Sequence, residues 1–169
     1  LLTRDAGPVQ LAGWGESADA HHMSAPDPKG LGAIDALQQA LQRAGWDAGD
    51  VDYVNLHGTA TGHNDAMESV AVAQVLGTTV PASSTKPLTG HTLGASGAIE
   101  AAVCWILLAE NPGHRLPTHW WDGSADPALP ALPLVAPGAR LDRAPQRVLS
   151  NSFAFGGSNA VLALQGVAA

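Results

Sequence analysis

A stretch of polar and small residues over positions 83–100 carries the side chains best suited to chemistry. Lys86 and His91 stand in this stretch, SSTKPLTGHTLGASGAIE, between apolar and small residues, so folding is expected to hold them in a fixed, partly desolvated place. Gly94 and Gly97 allow a helix start to approach other backbone closely and to present free N–H donors. The pattern favours stabilisation of an anionic or oxyanion-like species. A buried helix start with a surface lysine and a capping histidine is the alternative.

A second histidine follows an expected strand. Residues 51–56 are mostly apolar and lead directly into HGTATGHND, which begins at His57. Side chains that carry chemistry in α/β proteins commonly stand on loops at strand ends, where the strands hold them rigidly. A single histidine in this position is weak support for a site, so the interpretation depends on the residues that accompany it.

Short strands and helices alternate along the chain and must position these polar segments. The first helix is expected to have Asp27 as its N-cap and to end before Gly45. The second is expected to begin at Asp65 with Glu68 in capping-box spacing, which disfavours an acid or base role for either carboxylate. The patterns predict helices that end near residues 44, 76 and 109, and strands over residues 9–14, 51–56, 80–85, 148–153 and 160–165.

Composition argues against several classes of function. The 169 residues carry a formal net charge of −7 and no run of Lys and Arg, which argues against non-specific nucleic-acid binding. The longest apolar run, residues 101–109, is too short to span a bilayer. The single cysteine, Cys104, excludes an internal disulfide and fits a reducing, cytoplasmic compartment. Its place inside an apolar helix predicts a core residue, not a nucleophile.

A metal site is also disfavoured. His21 and His22 are neighbours, and neighbouring side chains on an extended chain point in opposite directions. A metal-dependent hydrolase that used these two with His57 and His63 would lack the i, i+4 histidine spacing typical of helical zinc sites. We therefore expect no bound metal.

Three polar segments together resemble the C-terminal signatures of the β-ketoacyl-acyl-carrier-protein synthases. They are HGTATGHND from His57, STKPLTGHTLGASGAIEA from Ser84 and SNSFAFGGSNA from Ser150. The loop DAHHMSAPDPKG from Asp19 is similar to the same enzymes, and the match extends in order over essentially the whole chain. The chain is most similar to the elongating type, whose active site has two histidines.

The resemblance implies a thiolase-like α/β fold, in which two similar halves of mixed β-sheet covered by α-helices usually pair as a homodimer. Residues 1–25 would be the last strand and loop of the N-terminal half, and residues 26–169 the C-terminal half. The family's nucleophilic cysteine lies in the N-terminal half, at a helix start where the dipole lowers its pKa. Nothing in this sequence matches that cysteine. A clipped or truncated synthase, inactive alone, is therefore expected.

The resemblance also implies a decarboxylative Claisen condensation of malonyl-acyl-carrier protein with an enzyme-bound acyl thioester, in fatty-acid or polyketide-like biosynthesis. His57 and His91 would stabilise the enolate by donating from Nε2. Lys86 would support the second histidine electrostatically, with Glu100 as its ionic partner. A non-catalytic partner subunit similar to the chain-length factors is the alternative.

Substrate contacts follow from the same resemblance. Two threonine hydroxyls would bind the phosphopantetheine arm that arrives on the carrier protein, and no other cofactor is expected. The second phenylalanine of SFAFGG would gate the acyl pocket, and the glycine backbone beside it would form a second oxyanion hole. A capped strand end and ordinary core packing are the alternatives for these side chains. The residues concerned are Thr59, Thr61, Phe153, Phe155, Gly156 and Gly157.

Two departures from the family pattern leave the preferred acyl length open. The family often has proline where this chain has Gly62, and His63 beside it is unusual, which implies a different contact with the arm. Ala154 replaces a glycine common between the two phenylalanines, and its Cβ would stiffen the gate or require another backbone angle.

Overall fold

A five-stranded mixed β-sheet organises the chain, of which the computed structural model describes residues 3–167. The strand order is β1-β5-β4-β2-β3. β2 runs parallel to both β3 and β4, whereas β5 is antiparallel to β4 and β1. The predicted α/β class with a mixed sheet is confirmed. The strands are β1 (Val9–Ala18), β2 (Tyr53–Asn55), β3 (Ala82–Ser83), β4 (Arg147–Phe153) and β5 (Ser158–Gly166).

Strand β1 is an integral part of this sheet. It pairs with β5 from Val9 opposite Gly166 to Ala18 opposite Ser158, with one register shift. The strand before the predicted boundary at residue 25 is therefore hydrogen-bonded to the last strand of the described chain.

The first helix, α1 (Leu31–Ala44), lies directly against β1. Glycine in the strand makes this approach possible, since a Cβ added to Gly15 would lie 1.7 Å from the carbonyl oxygen of Ala36. The helix buries the apolar face that its periodicity predicts, including Ile34 and Leu37. The same helix also contacts β5, so one element covers two neighbouring strands.

The start of α1 corrects the prediction that Asp27 caps it. Gly30, with φ of 63°, precedes the helix in the left-handed conformation. The Asp27 carboxylate instead accepts a hydrogen bond from the Lys29 N–H inside the preceding turn. Local turn formation by the aspartate thus competes with capping. The C-terminal end is as predicted, with Gly45 also left-handed.

The second helix, α2 (Gly62–Leu76), begins three residues before the predicted start. Its N-cap position is Thr61, so Asp65 lies within the helix and is not its cap. The predicted capping box is wrong for the same reason, and Glu68 is free to serve another purpose. Gly77 ends the helix as the sequence indicates.

A one-turn helix, α3 (Lys86–Thr89), precedes the third long helix, α4 (Ser96–Ala109). Only one side of α4 is buried, with Cys104 completely so, whereas Trp105 is 38% exposed and Ile106 51% exposed. The helix therefore packs on β4 and β5 through one side only. Burial raises the pKa of the Cys104 thiol to about 12, in agreement with its interpretation as a core residue.

Residues 110–146 form a long connection between α4 and β4. This segment contains only isolated bridges, which join Ala82 to Leu134 and Arg115 to Arg140. It also covers the outer edge of β3, where the Val135 N–H donates to the carbonyl oxygen of Ala82. In residues 3–167, no helix is long and apolar enough to cross a membrane.

Candidate active site

The site lies where three parallel strands end. β2 leads through one residue, Leu56, to His57, β3 leads through two residues to Lys86, and β4 ends at Phe153. The carboxyl ends of parallel neighbours meet at one edge of a sheet, so residues distant in sequence are brought together there. Sequence position alone gives no hint that these three side chains are neighbours.

The two histidines that the sequence singles out converge at this edge. The ring centroids of His57 and His91 are 5.2 Å apart, and the rings meet edge to face at 80°. Phe153 also packs against His57, with a centroid distance of 6.2 Å. His57 is buried, whereas His91 is exposed on the loop that follows α3. One imidazole is therefore fixed by packing, and the other approaches it from the surface.

A buried ion pair lies behind His57. The Lys86 ammonium is hydrogen-bonded to the carbonyl oxygen of His57 and to Glu100 Oε1, and it lies 3.4 Å from His57 Nδ1. Ser96 also donates to Glu100 Oε1, at 3.1 Å. The sequence predicts support of His91 by this lysine. In the structure Lys86 contacts the other histidine, His57. The reason is that β3, which precedes Lys86, pairs with β2, which precedes His57.

The environment of His57 keeps its ring neutral. Burial, the positive charge of Lys86 and the proximity of His91 together lower its pKa from 6.5 to about 3, with burial the largest cause. An ammonium has no acceptor lone pair, so Nδ1 must accept in the contact with Lys86. The single ring proton then resides on Nε2. His57 is thereby prepared to donate a hydrogen bond from Nε2.

Glu68 supports the same loop, a role that the sequence reasoning missed. Its fully buried carboxylate accepts hydrogen bonds from the N–H groups of His57, at 2.8 Å, and Gly58, at 2.7 Å. Asn151 of β4 donates to it as well, at 3.1 Å. Burial raises the pKa of Glu68, and these three hydrogen bonds oppose that shift. The available signal was an acidic residue among apolar neighbours in α2.

One cavity of about 610 Å³ contains most of the predicted site. The hydroxyls of Thr59 and Thr61 are 2.9 Å apart at its wall. His63, the unusual residue of the motif, also lines it. Lys86 and Glu100 lie behind this surface. The predicted residues that line the cavity are His57, Thr59, Thr61, His91, Phe153 and Phe155.

The glycine turn after β4 differs from its predicted role. Gly156 and Gly157 have φ of 79° and 76°, in the left-handed region. Their N–H groups are occupied, since that of Gly156 donates to the Met23 carbonyl oxygen and that of Gly157 to the Ala154 carbonyl oxygen. Neither is available as an oxyanion donor in this conformation. Phe155, which stands in the sequence between β4 and these two glycines, is 80% exposed.

A second group that the sequence reasoning missed ties this turn to the loop after β1. The Asp19 N–H donates to the Gly157 carbonyl oxygen at 2.8 Å. Asn159 donates from Nδ2 to Asp19 Oδ1 at 2.7 Å, and the Asp27 N–H donates to Asp19 Oδ2 at 2.9 Å. Loop and turn therefore form one hydrogen-bonded wall of the cavity.

The remaining histidines of the sequence do not form a metal centre. His21 and His22 lie outside the cavity lining. Within the described part of the chain, no group of three or more His, Cys, Asp or Glu side chains has the arrangement of a metal site.

Comparison with known proteins defines the class to which this geometry belongs. Residues 9–114 match the family described as Beta-ketoacyl synthase, C-terminal domain. The 3-oxoacyl-[acyl-carrier-protein] synthase 2 of Rhizobium meliloti (strain 1021) is 41% identical over 161 residues, which cover 93% of this chain and 37% of that protein. The chain thus spans little more than a third of the curated relatives that it matches.

Comparison with solved structures agrees with this family match. The ketosynthase ApeO in complex with its chain length factor ApeC from Xenorhabdus doucetiae superimposes with a TM-score of 0.90 at 49% identity, over 98% of this chain and 41% of that one. The ishigamide ketosynthase/chain length factor gives 0.84 at 32% identity, over 94% and 38%. The mixed sheet and the cavity at its strand ends are those of a thiolase-like protein. Within that class, the chain belongs to the β-ketoacyl synthase family and contains its C-terminal domain.

Proposed function

We propose that this chain is the decarboxylating, C-terminal part of a 3-oxoacyl-[acyl-carrier-protein] synthase. The observation that carries the proposal is the convergence of two imidazoles, His57 and His91, in one cavity with an ammonium behind the first. The substrate would be a malonyl group on the phosphopantetheine arm of a carrier protein. The second reactant would be an acyl thioester on a cysteine of the N-terminal half.

The geometry supports the first chemical step. Loss of CO2 from the malonyl group leaves its electron pair on the adjacent carbon, and the resulting enolate carries negative charge on the thioester oxygen. The Nε2–H of His57 and the imidazole of His91 donate to this oxygen, and fixed donors stabilise such charge best where water is excluded. The enolate carbon then attacks the acyl thioester carbonyl carbon, and the cysteine thiolate leaves.

Lys86 contributes indirectly to this step. Its positive charge disfavours protonation of His57, and its contact with Nδ1 selects the tautomer with the proton on Nε2. Glu100 balances the ammonium, so that a lysine is tolerated in a buried place. The pair therefore adds to the effect of burial in keeping His57 neutral, and it selects the tautomer of the ring.

The carrier protein is the partner that this proposal requires. Thr59 and Thr61 line the cavity as a hydroxyl pair suited to the amide groups of the phosphopantetheine arm, which brings the only cofactor. Dimerisation of the complete synthase is part of the proposal. So is a cytoplasmic location, which the single, free thiol of Cys104 favours.

A non-catalytic, chain-length-factor-like subunit is the second candidate, since two of the solved neighbours are described as a ketosynthase with a chain length factor. The residues of this chain favour the catalytic subunit. A factor that does not decarboxylate has no chemical need for two convergent imidazoles. It also has no need for the buried Lys86–Glu100 pair, whose burial costs free energy.

The test uses the complete synthase, with this chain joined to the N-terminal half that carries the cysteine. His57→Ala and His91→Ala should each abolish CO2 release from malonyl-carrier protein and leave acylation of the cysteine by acyl-carrier protein largely intact. His114→Ala, which changes a histidine outside the cavity, serves as the control. Decarboxylation that persists in both variants would overturn the assignment. A parent protein that never decarboxylates would favour the non-catalytic alternative.

A further inference from the structure

His119 lies outside the cavity but makes a specific contact with the site. Its Nδ1 accepts a hydrogen bond of 3.0 Å from the N–H of Ser84, the residue that follows β3. The two residues are 35 positions apart, and His119 belongs to the long surface connection. Its own N–H donates to the Val135 carbonyl oxygen at 2.9 Å, which fixes the backbone that presents the ring.

Ser84 is in turn hydrogen-bonded to the loop after His57 and to the backbone of Lys86. Its hydroxyl donates to the carbonyl oxygen of Gly58 at 2.8 Å, and it accepts from the N–H of Lys86 at 3.3 Å. The packing is tight, because a Cβ added to Gly58 would lie 2.5 Å from the Cβ of Ser84. A shift of Ser84 would therefore move the residue after His57 and the lysine behind it.

From this geometry we infer that His119 is a positioning residue for the decarboxylation site, acting through Ser84. The inference rests on the proposed function. His119 touches neither the cavity nor His57, so it takes no part in bond making or proton transfer. It supplies a neutral acceptor that fixes the exit of β3, and through Ser84 it sets the distance between the Lys86 ammonium and His57 Nδ1.

A residue that replaces His119 must offer a neutral acceptor to the Ser84 N–H. An imidazole accepts through Nδ1 only when neutral, with its proton on Nε2. Burial lowers the pKa of His119, which favours the neutral form, while the charge of Asp65 opposes this effect. Asparagine offers a neutral side-chain oxygen at a similar distance from the backbone. Leucine fills a comparable volume and offers no acceptor.

The experiment compares His119→Asn and His119→Leu in the complete synthase. We expect His119→Leu to lower kcat for malonyl decarboxylation about tenfold, the effect of one lost hydrogen bond that misplaces a catalytic group. KM for malonyl-carrier protein should stay nearly unchanged, since the arm contacts are elsewhere. His119→Asn should restore most of kcat. Equal losses in both variants, or no loss in either, would overturn the inference.

A double-mutant cycle tests the route through Ser84. Ser84→Ala removes the hydroxyl contact with Gly58 and keeps the backbone N–H. If His119 acts through Ser84, the combined Ser84→Ala/His119→Leu variant should lose little more than the worse single variant, because coupled residues are not additive. Fully additive losses would show an independent role for His119 and would contradict the proposed route.

Hydrogen exchange separates failure of this inference from failure of the proposed function. His119→Leu should speed exchange of the amides over residues 83–90, and His119→Asn should not. This readout needs no activity. Unchanged exchange in His119→Leu would overturn the positioning role even in an active enzyme. Absence of decarboxylation in the parent, with the exchange pattern as expected, would overturn only the proposed function.

Discussion

The buried Lys86–Glu100 pair has consequences for stability that differ from its consequences for chemistry. Breaking a buried pair leaves an uncompensated charge and costs about 3–5 kcal/mol, whereas replacing both partners with apolar residues is often neutral. The residues are 8% and 2% exposed, so solvent offers little compensation. Substitutions in this pair should therefore change the free energy of unfolding and the rate of decarboxylation to different extents.

Glu100→Leu should lower the free energy of unfolding by about 3–5 kcal/mol, because Lys86 is left unpaired in the interior. Lys86→Met combined with Glu100→Leu should recover most of that loss. Decarboxylation should be lost in the double variant, since His57 Nδ1 no longer meets an ammonium there. Urea unfolding and CO2 release measure the two properties. A double variant as unstable as the single one would contradict this view of the pair.

His57 should make the fold sensitive to acid. Its pKa is about 3 in the folded protein and 6.5 in its ordinary state, so between these values the unfolded chain binds the extra proton. The free energy of unfolding then rises with pH in this window, and stability is lost as pH falls from 6.5 towards 3. Urea unfolding should show a shallower dependence for His57→Gln. Ring nitrogen shifts measured by NMR should show neutral His57 at pH 5, and a protonated ring there would contradict the lowered pKa.

Substitution of Glu68 tests whether its carboxylate supports the loop after β2 or caps helix α2. Glu68→Gln replaces one acceptor oxygen by an NH2 group facing the N–H groups of His57 and Gly58, and it should cost about 1–3 kcal/mol. Asp65→Asn, in the same helix, is the matched control and should cost much less. Thermal unfolding with the CO2 assay measures both. Similar losses in the two variants would favour the capping interpretation.

At the scale of the elements, periodicity predicted the bodies of the helices better than their starts. The apolar face of α1 and the stops at Gly45 and Gly77 were predictable, because each depends on residues close in sequence. The start of α2 was not. Asp65 and Glu68 have capping-box spacing, but the helix extends back to Gly62 and directs Glu68 towards the end of β2.

Strand lengths depend on partners that a single sequence does not reveal. β3 has two residues where residues 80–85 were predicted, because β2, its neighbour, ends at Asn55. β1 extends to Ala18, four residues past the prediction, because β5 offers a partner along that whole length. Apolar pattern marks where a strand can form, and pairing decides how far it continues.

The loop after β1 and the glycine turn should move together. Asn159→Ala removes the side-chain contacts with Asp19 and the Gly157 carbonyl oxygen, and exposed loops that lose such hydrogen bonds open more often. Hydrogen exchange should therefore speed up over residues 19–27 and 154–158. Asn111→Ala, which frees a loop elsewhere, is the control and should leave both segments unchanged. Faster exchange confined to residues 154–158 would contradict the coupling.

At the scale of the whole molecule, the reactive side chains were easier to predict than the residues that hold them. His57, Lys86 and His91 stand in recognisable motifs. The residues that hold the walls of the site, such as Asp19 and His119, act through hydrogen bonds over long sequence separations, as in the 140 positions between Asn159 and Asp19. No local pattern encodes such contacts, because the sheet order creates them.

Helix α4 leaves apolar surface exposed on the outside of the described chain. Trp105 and Ile106 are adjacent on it, and large exposed apolar patches usually mark contact surfaces. The isolated chain should therefore self-associate. Light scattering at increasing concentration should show a rising mass, and Trp105→Gln with Ile106→Gln should reduce it. A parent protein that stays monomeric at high concentration would contradict this expectation.

The antiparallel pairing of β1 with β5 sets Val9 directly opposite Gly166, and the Val167 N–H donates to the Pro8 carbonyl oxygen at 2.9 Å. The backbone therefore enters and leaves this sheet at one corner. A short glycine-rich bridge from residue 167 to residue 8 would close the backbone into a ring, and cutting that ring in the exposed segment 122–126 would give a circular permutant with the same cavity. New ends placed there would lie outside the segments that carry His57, Lys86 and His91, and they would make the domain a practical unit for insertion into other scaffolds.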